Sequence, residues 1–472
     1  MNKLSSLSPQ LFHRGLLFVM MMCGLLISAT LKAQLPTAQH IADKMKIGWN
    51  LGNTLEAIGG ETAWGAAVTS QRLIDSIKSA GFNTVRLPVA WFTHSDTVTS
   101  IIDKVWIARV KQVVDYCIKD SLYVIINAHW DKGWLENRVN TANKATVNKR
   151  QHAYWTQIAN QFKDYDEHLL FAGANVPNAH DAAGMAVLLS YHQTFVDAVR
   201  ATGGNNSSRT LIIQGPSTDI DKTYKLMNTL PVDPIENRLM VEVHYYTPWN
   251  FCGMNKDESW GKMFYYWGQN NHSKTDVTRN ATWGEEAEMD KLLGWMKTKF
   301  VDKGIPIILG EYGAFRKKLS PPSDQLLHNA SIEHYYSYFV KSAMSKGMIT
   351  YMWDTPGGLI NRSNGAIIDK ALLNAIMQGA KDATTGIAML KKENAIELYP
   401  NPFTSTISLK VTNPEDINRI SVFNRTGHEV ERVEHAAIKN SMDLCSLLKP
   451  DMYIVQVNET NWTRSFKVLK MK

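Results

Sequence analysis

The chain has 472 residues and a formal charge of +7 at pH 7, which leaves room for one barrel of about 250 residues or more plus a small further domain. Aromatic residues make up 10% and charged residues 20%, as in an ordinary globular protein. Residues 1–33 contribute Lys3, Arg14 and Lys32 and no acid, leaving +4 on the remainder, a scattered charge too small to argue for a nucleic-acid partner.

The N-terminus reads as a signal peptide over 1–33. Lys3 and Arg14 make a positive start, and Gly15 to Ile27 forms an apolar core too short to span a membrane. Cleavage is expected after Ala33, although Leu31 is larger than the small residue usual three positions before the cut. Met22 before Cys23 is too bulky for a lipoprotein site. Beyond the signal only Cys117, Cys252 and Cys445 remain, an odd and widely spaced set that is no disulfide framework. Cys117 falls in a helical pattern and reads as a core residue. No Cys/His cluster has metal-ligand spacing, so neither metal nor organic cofactor is expected.

From about residue 45 to 375, short apolar runs alternate with helix-periodic stretches. The strand predictions are Ile47–Asn50, Thr84–Pro88, Tyr123–Asn127, Leu169–Ala174, Thr210–Gln214, Leu239–His244, Ile307–Glu311 and Ile349–Trp353. Amphipathic segments such as Ser70–Ala80 and Ile102–Lys119 lie between them. Such alternation means parallel βαβ units, and eight of them predict a (β/α)₈ barrel over 34–378. On pattern alone, a doubly wound sheet stays open. Seven strands end in polar or aromatic residues: Asn50, Arg86, His129, Asn175, His244, Glu311 and Trp353. In a barrel these ends converge on one face, where active sites sit. Residues 379–394 lose the pattern and read as a linker. Residues 395–472 alternate apolar and polar residues in Ile407–Val411, Ile420–Phe423 and Tyr453–Val457, which predicts a small antiparallel, sandwich-like β domain.

The sharpest motif is Pro306-Ile-Ile-Leu-Gly-Glu311-Tyr-Gly. A carboxylate closing an apolar strand, followed by small residues, suits the nucleophile of a retaining glycosidase, which attacks an anomeric carbon to form a glycosyl ester. A buried strand-end Glu serves equally well as a structural ion-pair partner. The surroundings decide between the two: Ile47-Gly-Trp-Asn-Leu-Gly-Asn-Thr54, Val85-Arg-Leu-Pro-Val-Ala-Trp91, Ile126-Asn-Ala-His129-Trp130, Val243-His244-Tyr-Tyr246 and Tyr351-Met-Trp353-Asp. In this order, residues 40–375 resemble glycoside hydrolase family 5, which includes many endo-β-1,4-glucanases.

The resemblance implies a secreted, retaining, cellulase-type hydrolase, expected to be a monomer, acting on a β-1,4-linked polysaccharide or oligosaccharide. It implies Glu311 as nucleophile, with Arg86 and Tyr246 holding it ionised and aimed. It implies His129, Asn175 and His244 as polar contacts, Trp353 as the aromatic floor under the sugar, and Asn53, Trp130 and Trp249 as further substrate contacts. Of the fourteen tryptophans all but Trp462 lie in the barrel region. Trp130, Trp134, Trp249, Trp260 and Trp267 follow strand ends or sit in the loop after the sixth strand, where some are expected to line a cleft; about half of the tryptophans are expected in the core.

One position departs from the family pattern. The fourth strand of the family ends in Asn-Glu-Pro, whose Glu is the general acid/base; here the stretch is Asn175-Val176-Pro177. Valine cannot transfer a proton, so the acid/base position is vacant and turnover is expected to be weak. The alternative reading is a non-hydrolytic carbohydrate-binding protein on a lapsed barrel. Asp181, Glu56 and Asp131 sit on nearby loops, but nothing in the sequence places them over the scissile oxygen.

The tail, with Leu398-Tyr-Pro-Asn-Pro402-Phe, then Met452-Tyr-Ile-Val-Gln-Val457 and a basic end at Lys467-Val-Leu-Lys-Met-Lys472, resembles the C-terminal sorting domain of type IX secretion in the Bacteroidetes. That implies a secreted or surface-attached protein and a partner in the outer-membrane secretion machinery. Asp451 stands where that family usually has Gly.

Overall fold

Eight parallel strands close on themselves because the first pairs with both the second and the last. In the computed structural model, which describes residues 35–472 except 394–395, 413 and 460–462, β1 (Ile47–Leu51) lies between β2 (Thr84–Leu87) and β8 (Ile349–Asp354). Around the ring run β3 (Tyr123–Asn127), β4 (Leu169–Ala172), β5 (Leu211–Gln214), β6 (Leu239–Tyr245) and β7 (Ile307–Tyr312). This is the predicted (β/α)₈ barrel; the doubly wound alternative falls with ring closure. The predicted signal peptide, 1–33, lies outside the described residues.

Period-two alternation sorts the strand residues into two environments. Val124, Ile126, Leu169, Phe171, Leu211, Ile213, Val241 and Val243 pack in the large cluster between strands and helices. Ile125, Leu170, Ala172, Ile212, Met240 and Ile308 form a separate cluster with Ala38, Ile41 and Met45. Those last three belong to α1 (Ala38–Lys44) and its cap residue, so α1 plugs the barrel's lower end with apolar side chains. One step further up each strand the inward set turns polar: Asn50, Arg86, Asn127, Gln214 and Glu242 are all buried.

The outer helices start where short polar side chains take up free N–H groups. Ser70 caps α2 (Gln71–Ser79), Asp103 caps α3 (Lys104–Lys119) and Asp181 caps α5 (Ala182–Ala201). Helix α4 (Lys144–Gln161) lies between the last two in the chain. Leu73, Ile74 and Ile77 face the core as their spacing predicts, and so does Cys117. All three described cysteines are free and buried. Among the described residues no helix is long and apolar enough to cross a membrane.

The expected linker is corrected in part. One helix runs Lys370–Glu393, so the barrel's final helix continues through most of 379–394. That stretch contains no proline to end the helix.

Beyond it, seven strands form two antiparallel sheets. One has the order β13 (Ser441–Leu444), β10 (Ile407–Val411), β9 (Ile396–Tyr399); the other has β12 (Glu429–Glu434), β11 (Ile417–Phe423), β14 (Met452–Glu459), β15 (Thr463–Leu469). Ile407 and Leu409 of one sheet share a core with Ile420, Val422, Val455 and Val457 of the other. That is the sandwich expected from alternation, with four strands more than the pattern revealed.

Candidate active site

The polar upper layer centres on Arg86, which is fully buried. Its Nη1 donates to Glu311 Oε1 at 3.1 Å and to Asn50 Oδ1 at 3.0 Å, and its Nη2 donates to Asn175 Oδ1 at 2.7 Å. Its Nε lies 3.0 Å from Glu242 Oε1, an ion pair off the N–H axis. One guanidinium therefore serves two carboxylates from β6 and β7. Burial alone would lower the pKa of Arg86, but Glu242 and Glu311 outweigh it and raise it further. It stays a cation.

Glu311 reaches this layer through an irregularity in its strand. The pairing of β6 with β7 shifts between Val243 and His244, and that of β7 with β8 shifts between Leu309 and Tyr312. Strict alternation would send neighbouring Gly310 and Glu311 to opposite faces. The shift lets both face inward, as bulges near active sites do. A Cβ on Gly310 would come within 1.9 Å of Glu242 Oε1, while Glu311 meets Arg86 at 3.1 Å. The Tyr246 hydroxyl donates to Glu311 Oε2 at 3.2 Å. Burial and then the Glu311 charge push that hydroxyl well above the usual phenol range, so it remains a donor. His244 Nδ1 lies 3.7 Å from the same Oε2.

The other expected contacts join from β3, β4 and β8. His129 is buried, 3.1 Å from the Asn127 amide through Nδ1 and 3.3 Å from the Asn175 amide through Nε2. Burial, then Arg86 and His244, hold its pKa well below the usual histidine value, so the ring is neutral. The Trp353 ring stacks on it at 5.7 Å between centroids and 10° between planes. Trp249 sits edge-on to Tyr246 at 6.3 Å. Two hollows flank Tyr246. One, of about 430 Å³, is lined by Phe315 and Trp353; the other, of about 470 Å³, by His244, Trp249, Trp283 and Asp219.

Thus Arg86, Glu311, Tyr246, His244, Asn175, His129 and Trp353 form one contiguous set. Asn53 has a positive φ of 56° and gives its N–H to Glu56, and Trp130 is exposed beside His129; no polar contact ties either to Glu311 among the described residues. The tryptophans divide much as expected. Trp49, Trp91, Trp106, Trp134, Trp155 and Trp267 are buried, and Trp64, Trp130, Trp249, Trp260 and Trp283 are exposed. Trp134 and Trp267, considered for the cleft, therefore belong to the core.

Val176 is half-buried, flanked by Asn175 and Pro177. Each of the loop carboxylates noted in the sequence accepts at least one backbone N–H bond elsewhere. Glu56 is buried and accepts from the N–H groups of Asn53 and Thr54; burial pushes it up to about 7 against those bonds. Asp131 accepts from Thr93 N–H at 2.9 Å, and Asp181 caps its helix at Gly184 N–H at 2.8 Å.

Two buried carboxyls escaped the sequence reading. Glu242 stands on the inward face of β6, two residues before His244, which strand alternation could have flagged. Glu136, in the loop after β3, has both oxygens buried without a well-formed hydrogen bond. Burial pushes it up to about 8, against the facing N–H groups of its own residue, Leu135 and Asn175.

A parallel barrel with a buried carboxylate held by Arg and Tyr at its C-terminal mouth defines a glycosidase-type site. Residues 50–356 match the model of the cellulases of glycosyl hydrolase family 5, and the chain belongs to that family. It is 36% identical over 368 residues to a xyloglucan-specific endo-β-1,4-glucanase of Bacteroides ovatus, covering 73% of this chain and 70% of that protein. It is 33% identical to endoglucanase A of Paenibacillus barcinonensis, covering 73% and 90%. Among solved structures, a family 5 xyloglucan-specific β-1,4-glucanase from a ruminal metagenomic library superposes with a TM-score of 0.68 at 43% identity, over 74% of this chain and 97% of that one. Residues 397–471 match the secretion system C-terminal sorting domain. The protein is therefore a cellulase-type glycosidase joined to a sorting domain of the type IX kind, which directs it to the cell surface or beyond.

Proposed function

We propose that the chain is a β-1,4-glucan-directed family 5 protein whose Glu311 remains a competent nucleophile while position 176 lacks the acid/base. The carrying observation is the buried set around Glu311. Arg86 and Tyr246 donate to its two oxygens at 3.1 and 3.2 Å, which favours the carboxylate and aims it. In this reading Trp353 supports the sugar at the cleavage point, since pyranose C–H faces pack on indole. His129, Asn175 and His244 take hydroxyls, and Trp249, Trp130 and Asn53 extend the contact along the chain. The glycan is of the xyloglucan or cellulose type, with endo action, as the names of the relatives suggest.

The mechanism is double displacement. Glu311 attacks the anomeric carbon, the C–O bond to the leaving sugar breaks, and a glycosyl ester forms. An ordinary sugar leaves as an alkoxide that needs a proton, and Val176 supplies none; a positioned acid/base contributes about 10²–10⁴-fold. Natural glucan is bound and cleaved slowly. An activated aryl glycoside, whose phenolate leaves without help, is attacked readily, and the ester then accumulates because no base activates water.

Val176 equally favours a second reading, a binding protein with no turnover. One preparation tested in two ways separates them. Calorimetry with cello- and xyloglucan oligosaccharides reads binding, and a stopped-flow burst from a dinitrophenyl cellobioside reads attack by Glu311. Binding with a stoichiometric burst supports the vacant-acid enzyme; binding without a burst supports the lectin-like reading. Brisk release of sugar from natural glucan overturns both.

A further inference from the structure

Glu242 is fully buried, yet double displacement at Glu311 does not use it. Its Oε1 lies 3.0 Å from Arg86 Nε and 3.0 Å from His244 Nε2, and its Oε2 accepts from Gln214 Nε2 at 2.7 Å. The oxygen of Gln214 in turn accepts from Ala174 N–H at 2.8 Å, on the strand-four exit. Space for this carboxylate is provided by Gly310, where any side chain would meet Oε1 at 1.9 Å. Burying a lone carboxylate is costly. Burial would raise its pKa, but Arg86, His244 and Gln214 outweigh burial and hold it below the usual range.

An ionised carboxylate only accepts, so the His244 nitrogen facing it must carry the proton. That sets the ring: Nε2–H points inward to Glu242, and Nδ1 is the atom presented to Glu311 Oε2, 3.7 Å away. The same carboxylate sits at the back of the Arg86 guanidinium, whose outer nitrogens reach Glu311, Asn50 and Asn175. We propose that Glu242 is a positioning residue for the nucleophile: it fixes the ring orientation and proton of His244 and braces Arg86 against Glu311, in a place kept open by Gly310. The catalytic part of this inference rests on Glu311 being the nucleophile; the histidine part does not.

The test combines a spectroscopic and a kinetic measurement on the full chain. Histidine-selective ¹⁵N labelling, with the His244 signals assigned by their loss in His244→Asn, reads which ring nitrogen is protonated. The wild type should show His244 protonated at Nε2, and Glu242→Gln should disturb that state. The burst from dinitrophenyl cellobioside should slow by about 10²-fold, as for a displacement of roughly 1 Å at a reacting group, while the dissociation constant for cellotetraose stays within about threefold. Gly310→Ala keeps the charge but displaces it, and should reproduce both effects; it decides the matter if Glu242→Gln does not fold. A His244 without Nε2–H in the wild type overturns the proposal. So does an unchanged tautomer and burst in the variants. A wild type with the expected tautomer but no burst instead removes the nucleophile reading and leaves the assignment of His244 standing.

Discussion

The exits of strands seven and four differ in how tightly each is bound into the interior. Glu311 shares Arg86 with Glu242, and Arg86 also holds Asn50 and Asn175. Removing any one of these groups leaves a buried charge or amide without its partner, so folding stability protects the set even where turnover is slow. Val176 is half-buried beside Asn175, and an aliphatic side chain there orphans nothing. The half-buried side chain at position 176 can thus be exchanged at little structural cost, whereas the groups around Glu311 cannot.

The hardest blow to the strand-seven side is Arg86→Met. It strands Glu242 and Glu311 together in the interior, and breaking such a buried pair costs about 3–5 kcal/mol. Urea unfolding should show that loss; a change under about 1 kcal/mol, the range of surface pairs, would mean the network is not what protects the site. On the strand-four side, Val176→Glu should raise hydrolysis of natural glucan by about 10² or more, with stability nearly unchanged because the position is partly open. Should reducing-sugar assays show no gain, some other group already fills the role.

A smaller effect tests Glu136, behind the strand-four exit. Its pKa rises from 4.5 to about 8 on folding, so the native state holds a proton that the unfolded chain releases. Stability from this group is complete below pH 4.5 and falls progressively up to about pH 8. Glu136→Gln, which cannot ionise, should flatten that decline by a few kcal/mol at most, on the order of the linkage expected for a buried carboxyl. Urea midpoints at pH 5 and pH 8 measure it, and parallel pH dependences in variant and wild type would refute it. The smallest expected effect is none: a chain ending at Glu393, without the sandwich, should bind cello-oligosaccharides within about twofold of the full chain, as independent sites do. Weakened binding in calorimetry would make the tail part of the cleft.

Much of this was legible in the linear chain because barrel strands announce themselves locally. Short apolar runs ending in Asn50, Arg86, Glu311 or Trp353 carry both the strand and its functional end, and the fold's rule of convergence supplies the rest. The proposal of a vacant acid/base position rests on the linear chain alone, on Asn175 and Pro177 framing Val176. The helix through Glu393 and the four extra tail strands were not legible there; β9, β12, β13 and β15 are all edge strands, with few fully buried residues. Strand alternation marks Glu242 as inward-facing but names no partner for it. Only closure of the barrel brings it to Arg86, which is 156 positions away in the chain, and to the space over Gly310. The sequence by itself determined the barrel, the tail and which residue types stand at each strand end, because these depend on local periodicity. Tertiary structure decided which charges share a partner, and which histidine nitrogen faces Glu311, because Coulomb and hydrogen-bond energies depend on distances of about 3 Å that no spacing along the chain encodes.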